Sequence, residues 1–182
     1  RFMKYMIASD IHGSALYCGK MLRAYEREQA DRLLLLGDIL YHGPRNDLPE
    51  EYSPKEVAAM LNGSREKLLC IRGNCDAEVD QMVLQFPILA DYALISECGR
   101  TYYLSHGHIY NEKNLPPLME SDVFIYGHTH VPRADRQGKR VFFNPGSVSL
   151  PKEGNPPSYG ILEDGKFLVK TFEGTVLREL RP

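Results

Sequence analysis

Short apolar runs alternate with amphipathic stretches through the first half of the chain. Lys4–Ser9 (KYMIAS) is mainly apolar and reads as a first strand. From Gly13 to about Glu28, residues Leu16, Met21, Leu22 and Tyr25 fall near helical spacing. The charged run Glu26-Arg27-Glu28 closes the segment, so a helix is predicted. Arg32–Leu36 (RLLLL) is short and unbroken in its apolarity, the mark of a strand buried on both faces. His42–Glu51, rich in Pro, Asn, Asp and Gly, reads as a loop. Ser53-Pro54 then opens a second helix, with serine as N-cap and proline at the first helical position, running to Asn62-Gly63. Lys67–Arg72 (KLLCIR) predicts a third strand and Asp76–Leu84 a short helix.

The pattern then changes. Tyr92–Ser96 and Arg100–Ser105 flank Glu97-Cys98-Gly99 as a hairpin. Asn111–Glu120 contains Pro116-Pro117 and forms at best a short helix, before the apolar strand Asp122–Tyr126. Arg133–Arg136 and Lys139–Phe143 flank a turn at Gln137-Gly138, and Ser158–Leu162 and Lys166–Phe172 flank Asp164-Gly165, a strong hairpin signal. Strand and helix alternate first, and mostly antiparallel strands follow. This predicts an α/β (α+β) layered core of sheet with helices outside.

The 182 residues suit one domain spanning 1–182, and 43% apolar residues suffice for a core. The net charge of −2 shows no basic block, so nonspecific nucleic-acid binding is not expected. No apolar run reaches membrane-spanning length and no signal peptide is visible. Cys18, Cys70, Cys75 and Cys98 form no C-x-x-C pair, which argues against structural zinc and for free thiols in a reducing compartment. A soluble, cytoplasmic protein is expected.

Five apolar strands run into metal-capable polar residues. The first meets Asp10-Ile-His12, the second Gly37-Asp38 and the third Gly73-Asn74-Cys75-Asp76. The hairpin strand YYLS meets His106-Gly-His108, and VFIY meets Gly127-His128-Thr-His130. In layered sheets, ligands gather beyond the carboxyl ends of strands. If the strands are neighbours, the five clusters face one crevice. Of six histidines, only His42 lies outside these ends. One D-x-H alone could be a cap or turn; five such elements after strands point to a site. Mixed carboxylate and imidazole donors suit manganese, iron, cobalt, nickel or zinc better than magnesium. Two ions about 3.5–4 Å apart would need a shared ligand, which a carboxylate can be.

The order D-x-H, G-D, G-N-x-D, H-G-H, G-H-x-H resembles the calcineurin-like metallophosphoesterases. The motifs span Asp10 to His130, and the G-N-C-D variant with Asn144-Pro-Gly-Ser147 is similar to their small bacterial phosphodiesterase branch. The resemblance implies a two-sheet β-sandwich flanked by helices, in four layers. It implies two divalent transition ions, manganese first among them. Asp10, His12 and His130 would bind the first, Asp38 would bridge, and Asn74, His106 and His128 would complete the second. His108 would stand close behind. A bridging hydroxide would attack phosphorus in line. The implied substrate is a small phosphodiester.

One position departs from the pattern. Many members carry histidine after the asparagine and assign it to the leaving group; here it is Cys75. A neutral thiol is a weak donor, so Cys75 is expected to line the site without serving as main acid. A nucleophilic Cys75 is the rival reading. Asp76 is expected to cap the following helix, with a role behind a ligand as the alternative. Arg72 is a better candidate phosphate contact than Arg45, His42 a candidate for the mouth, and Lys152–Pro157 an ordinary loop. Ser9 and Ser105 lack a G-x-S-x-G elbow and do not indicate a serine hydrolase. Against the enzyme stands an inactive protein-binding scaffold on the same fold, which should have lost ligands. A nuclease lacks a basic stripe or aromatic platform here, and a protein phosphatase lacks room for a recognition domain. Homo-oligomerisation is compatible with the sequence and not specified by it.

Overall fold

Strand β1 (Tyr5–Ala8) is buried along its whole length, and its two faces meet different partners. Met6 and Ala8 pack with helix residues Cys18, Met21 and Leu61. Tyr5 and Ile7 face the other way, into a core shared with Tyr102, Leu104, Val123, Ile125 and Phe143. Strand β2 (Arg32–Leu35) divides likewise: Leu33 and Leu35 toward the helices, Leu34 toward the second core. An unbroken apolar strand is therefore one with sheet and helix on opposite sides. The computed structural model describes residues 2–97 and 99–181. Cys98, placed by the sequence at the hairpin tip, lies outside the described residues.

Along the chain follow α1 (Ala15–Glu28), α2 (Pro54–Gly63), a 3-10 turn (Arg65–Lys67), β3 (Leu68–Cys70) and α3 (Glu78–Gln81). Then come β4 (Tyr92–Glu97), β5 (Arg100–Ser105), β6 (Val123–Tyr126), β7 (Arg133–Gln137), β8 (Arg140–Asn144), β9 (Ser158–Glu163), β10 (Lys166–Thr171) and β11 (Val176–Leu180). They form a six-stranded sheet, β11-β10-β9-β1-β2-β3, and a five-stranded sheet, β4-β5-β6-β8-β7. The expected two mixed sheets flanked by helices are thus present. β1, β2 and β3 are parallel neighbours, and so are β5, β6 and β8. Each sheet therefore presents a set of carboxyl ends on one side. The five strand ends are not all neighbours in one sheet, as the crevice argument supposed; they meet from two facing sheets.

Local differences have local causes. Ser14 caps α1, its side chain accepting from the Tyr17 amide. Ser53 sits at the N-cap of α2 with no side-chain bond, and Pro54 alone sets the start. The helix after Asp76 shrinks to Glu78–Gln81, and Ala77 holds its N-cap while the Asp80 carboxylate accepts from the Ala77 amide at 2.8 Å. Asn111–Glu120 forms turns rather than a short helix, with the Asn111 carboxamide accepting from Lys113 and Asn114. Leu115 and Leu118 from this segment cover Tyr103, Phe124, Tyr126 and Phe142 on the outer face of the second sheet. At the Asp164-Gly165 hairpin both residues take positive φ, 50° and 73°, as a type I′ turn requires.

Candidate metal centre

The segment after β1 carries Asp10 and His12, and the segment after β2 carries Asp38. Asn74, Cys75 and Asp76 follow β3. From the second sheet, His106 and His108 follow β5, and His128 and His130 follow β6. Glycines let the loops close on one another. A Cβ on Gly73 would lie 2.1 Å from Asp38 Oδ1, and one on Gly127 would lie 2.1 Å from Ser9 Oγ and 2.9 Å from Asp10 Oδ2. The G-N and G-H motifs thus begin with glycine because nothing larger fits between the strand ends.

Asp10 Oδ1 lies 3.2 Å from His130 Nε2, 3.6 Å from His12 Nε2 and 3.9 Å from His106 Nε2. Asp38 Oδ2 faces His106 Nε2 at 3.3 Å and His12 Nε2 at 3.6 Å, so it looks toward both imidazole groups. His12 and His130 approach at 3.4 Å through their Nε2 atoms, and His128 Nδ1 approaches His106 Nε2 at 3.2 Å. Asn74 Oδ1 is 3.0 Å from His106 Nε2. Among the described residues three overlapping groups have ligand atoms within 4.8 Å of one another: Asp10 with His12 and His130, Asp38 with His106 and His128, and His12 with Asp38 and Cys75. All seven expected donors are brought together, with Cys75 beside Asp38.

Backbone contacts aim these donors. His12 Nδ1 lies 2.8 Å from the Tyr41 carbonyl and His106 Nδ1 2.7 Å from that of Leu36; His130 Nδ1 bonds the Leu150 carbonyl. A carbonyl can only accept, so each of these Nδ1 atoms carries a proton and Nε2 is left as the inward-facing atom, able to ligate an ion once it sheds any proton of its own. The same backbone is strained. Asp10, His12, Asp38, His128 and His130 all take positive φ, between 49° and 66°. Such conformations persist where surroundings over-determine them. Here Ser147 Oγ donates to the Asp10 carbonyl at 2.9 Å, and Ser149 Oγ to that of Ile11 at 2.7 Å. The Asn144–Ser147 stretch is the structural turn beside the site that its sequence promised.

Asp76 does not cap α3. Its buried carboxylate accepts from the amides of Asp38, Ile39 and Gly73 at 2.8, 2.9 and 2.7 Å, tying the β2 and β3 ends together. Burial pushes its pKa up, and those amides offset part of the rise. His108 is exposed at the rim, its ring 5.4 Å from that of His106. His42 sits between the Tyr41 and Tyr52 rings, 4.8 and 5.3 Å away, outside the lining of the metal cleft. That cleft, about 450 Å³, is lined on its basic side by Arg45 and Lys152. Arg72 is turned away, donating to the Asp76 carbonyl at 3.2 Å and lying 3.7 Å from Glu78. The preference for Arg72 over Arg45 is therefore reversed. Lys152 was passed over because a lysine in a Pro/Gly loop carries no local signal; its place comes from the chain returning past His130, where the Lys152 amide bonds the His130 carbonyl at 3.2 Å.

Electrostatically the centre awaits a cation. Burial works against the charge on Asp10, yet His12, His130 and His106 hold its carboxyl well below the usual range. Burial also opposes charge on His106, but Asp38 and Asp10 raise it to about 9. His128 goes the other way, to about 4, through burial and the neighbouring charge of His106. Burial and Asp38 push the Cys75 thiol up to about 12, leaving it protonated near neutral pH. The fit to a metal rests on one atom above all: Asp10 Oδ1 is buried and accepts no hydrogen bond, while inward-facing imidazole nitrogens surround it. Buried carboxylate oxygens are normally satisfied. Carboxylate, imidazole and carboxamide donors together match a borderline divalent ion.

Comparison with known proteins places the molecule. The model of the calcineurin-like phosphoesterase superfamily domain matches residues 3–165, and the chain belongs to that family. It is thus an enzyme, a phosphoesterase. Phosphodiesterase YfcE of Escherichia coli strain K12 is 50% identical over 162 residues, covering 89% of this chain and 88% of that one. The solved structure of YfcE, described as a phosphoesterase from E. coli, superposes with a TM-score of 0.96 at 45% identity, over 98% of this chain and 99% of that chain. Vacuolar protein sorting 29 from Cryptosporidium parvum, at 16% identity and TM-score 0.65 over 99% and 98% of the two chains, shares the fold.

Proposed function

We propose that the protein is a dinuclear metal-dependent phosphodiesterase acting on small phosphodiesters. The observation that carries this is the convergence of His12, His106 and His130 on the unsatisfied Asp10 Oδ1, with Asp38, His128 and Asn74 gathered about His106. Asp10, His12 and His130 would hold one ion, and Asn74, His106 and His128 the other. Asp38 would be shared, since its Oδ2 faces donors of both clusters. Bound ions supply a water of lowered pKa and neutralise phosphoryl charge.

The chain's own groups do the rest. Asp76 fixes the amides that position Asp38. Arg45 and Lys152 flank the cleft and attract the anionic diester. Cys75 walls the site, and His108 stands at the rim. The diester preference draws on the 50% identity to a protein named a phosphodiesterase. Manganese is the first candidate among manganese, zinc, iron, cobalt and nickel. Free thiols at Cys18, Cys70 and Cys75 suit a reducing, cytoplasmic setting. Among the described residues no helix is long and apolar enough to cross a membrane. The scaffold reading has no observation in its favour, because no donor position has been lost.

The test is hydrolysis of an aryl phosphodiester by metal-stripped protein. Manganese, cobalt, nickel or zinc should restore turnover, and Asp38→Asn should lower metal content and cut the rate by about a hundredfold, the upper end of what loss of a ligand's supporting partner alone costs. Cys75→Ala should keep metal content and most of the turnover. No activity with any of the four ions would sink the enzyme mechanism; covalent phosphate on Cys75 would replace it with a thiol nucleophile.

A further inference from the structure

A second cavity of about 790 Å³ lies next to the metal cleft, and the two share one wall, Cys75. Its lining differs sharply in chemistry. Tyr41, Tyr52, Ala58, Val79 and Val83 line it, with Lys55, Asn62 and Asp80 as its longer polar groups. The metal cleft by contrast carries Arg45, Lys152 and the donor set. Val79 and Val83 are 64% and 53% exposed, so the groove's apolar surface faces solvent. Soluble proteins rarely leave contiguous apolar surface bare beside an active site without use. The groove is also mechanically joined to the centre: Tyr41 lines it, while the Tyr41 carbonyl accepts the bond that aims His12.

We propose that this groove is a substrate subsite that takes an apolar ester limb, aryl or alkyl, of the phosphodiester whose phosphate sits over the metal cleft. The inference rests on the phosphodiesterase reading above. The two spaces meet at Cys75, a small side chain against which a carbon chain can lie. The volume exceeds what a methyl ester would fill and is of the size that organic ligands occupy. Among the described residues the groove's charged lining is one lysine, Lys55, and one aspartate, Asp80, so a second phosphate finds no net charge there. The substrate class is therefore a diester with one apolar arm, its anionic centre held on the Arg45 and Lys152 side.

Alkylphosphonates carry one arm and are not hydrolysed, so they isolate the subsite. Methyl-, butyl- and hexylphosphonate would be titrated into the metal-loaded protein by calorimetry, and the same series run as competitors in the diester assay. Each buried methylene is worth about fourfold in affinity, so butyl should bind at least about tenfold tighter than methyl. Val79→Asn and Val83→Asn, both at exposed positions, should flatten that dependence while leaving methylphosphonate affinity, metal content and turnover of a short diester unchanged. Equal binding of all three ligands, or a chain-length dependence that survives both substitutions, would overturn the subsite and leave the phosphodiesterase intact. Failure of every phosphonate to bind, with no diester turnover, would overturn the function itself. A concentration-dependent dimer abolished by the same substitutions would give the groove to a second copy of the chain and overturn the proposal.

Discussion

At single residues, the centre carries a conformational cost beside that of burying its charges. Asp10, His12, Asp38, His128 and His130 hold left-handed backbone that glycine adopts freely. Removing a ligand and relieving strain are therefore separable. His130→Gly and His130→Ala should lose metal equally. In metal-free protein, His130→Gly should be the more stable of the two by about 1 kcal/mol, read from chemical denaturation. Equal stability would mean that the turn imposes no strain at this position. The positive φ values were not legible in the sequence, because the enrichment of aspartate and histidine in left-handed backbone is too weak to mark any single position. The donor types and their spacing were legible, since the chemistry needs those atoms wherever the backbone goes. Asp76 was misassigned for the opposite reason. Its nearness to a helix favoured a cap, and its real partners, the Asp38 and Ile39 amides, are distant in sequence.

At the level of elements, the end of α1, already packed on the first sheet through Cys18, Met21 and Tyr25, gains polar ties through one carboxylate. Glu28 accepts from the Tyr159 hydroxyl at 2.7 Å and from Lys170, and pairs with Lys4 at 3.3 Å. Arg27 adds a bond to the Phe172 carbonyl at 3.0 Å. Burial pushes against the Glu28 charge, but Lys170, Tyr159 and Lys4 outweigh it and hold the pKa below its ordinary 4.5. A depressed carboxyl contributes stability above its unfolded value, and that contribution fades as pH falls through the folded value. Wild type should therefore lose stability below about pH 4.5 more steeply than Glu28→Gln. The substitution should cost roughly 1–2 kcal/mol at pH 7, with denaturation midpoints across pH as the measurement. Parallel curves for the two proteins would exclude the clamp. The long periodic helix α1 was legible because its pattern repeats. The edge strand β11 was not: its mostly exposed residues show no alternation, and it pairs with β10 across a register shift at Val169 and Lys170.

For the whole molecule, the decisive relation is between two sheets that the sequence pattern could not separate. Apolar runs identify buried strands and say nothing about which sheet each joins. Gly160 marks the interface: a Cβ there would lie 2.5 Å from the Phe143 ring. Gly160→Ala should cost about 1–3 kcal/mol through overpacking while keeping metal stoichiometry. Gly127→Ala, whose Cβ would strike Ser9 and Asp10, should lose metal as well. Metal analysis alongside thermal unfolding distinguishes the two, and an unchanged metal content in Gly127→Ala would mean that the strand ends have slack.

The order of strands also bears on how the protein is made. β1, which delivers Asp10 and His12, lies between β2 and β9, and β9 begins only at Ser158. Ser147 and Ser149, which hold the Asp10 and Ile11 carbonyls, are also late in the chain. On a translating ribosome, all seven donors are synthesised by His130, while β1 still lacks its second neighbour. A nascent chain thus exposes loose histidines and carboxylates well before it owns a centre. The turn that carries Asp10 is consequently completed only by residues from Ser147 onward, and a chain stalled before them carries its aspartates and histidines without the contacts that aim them.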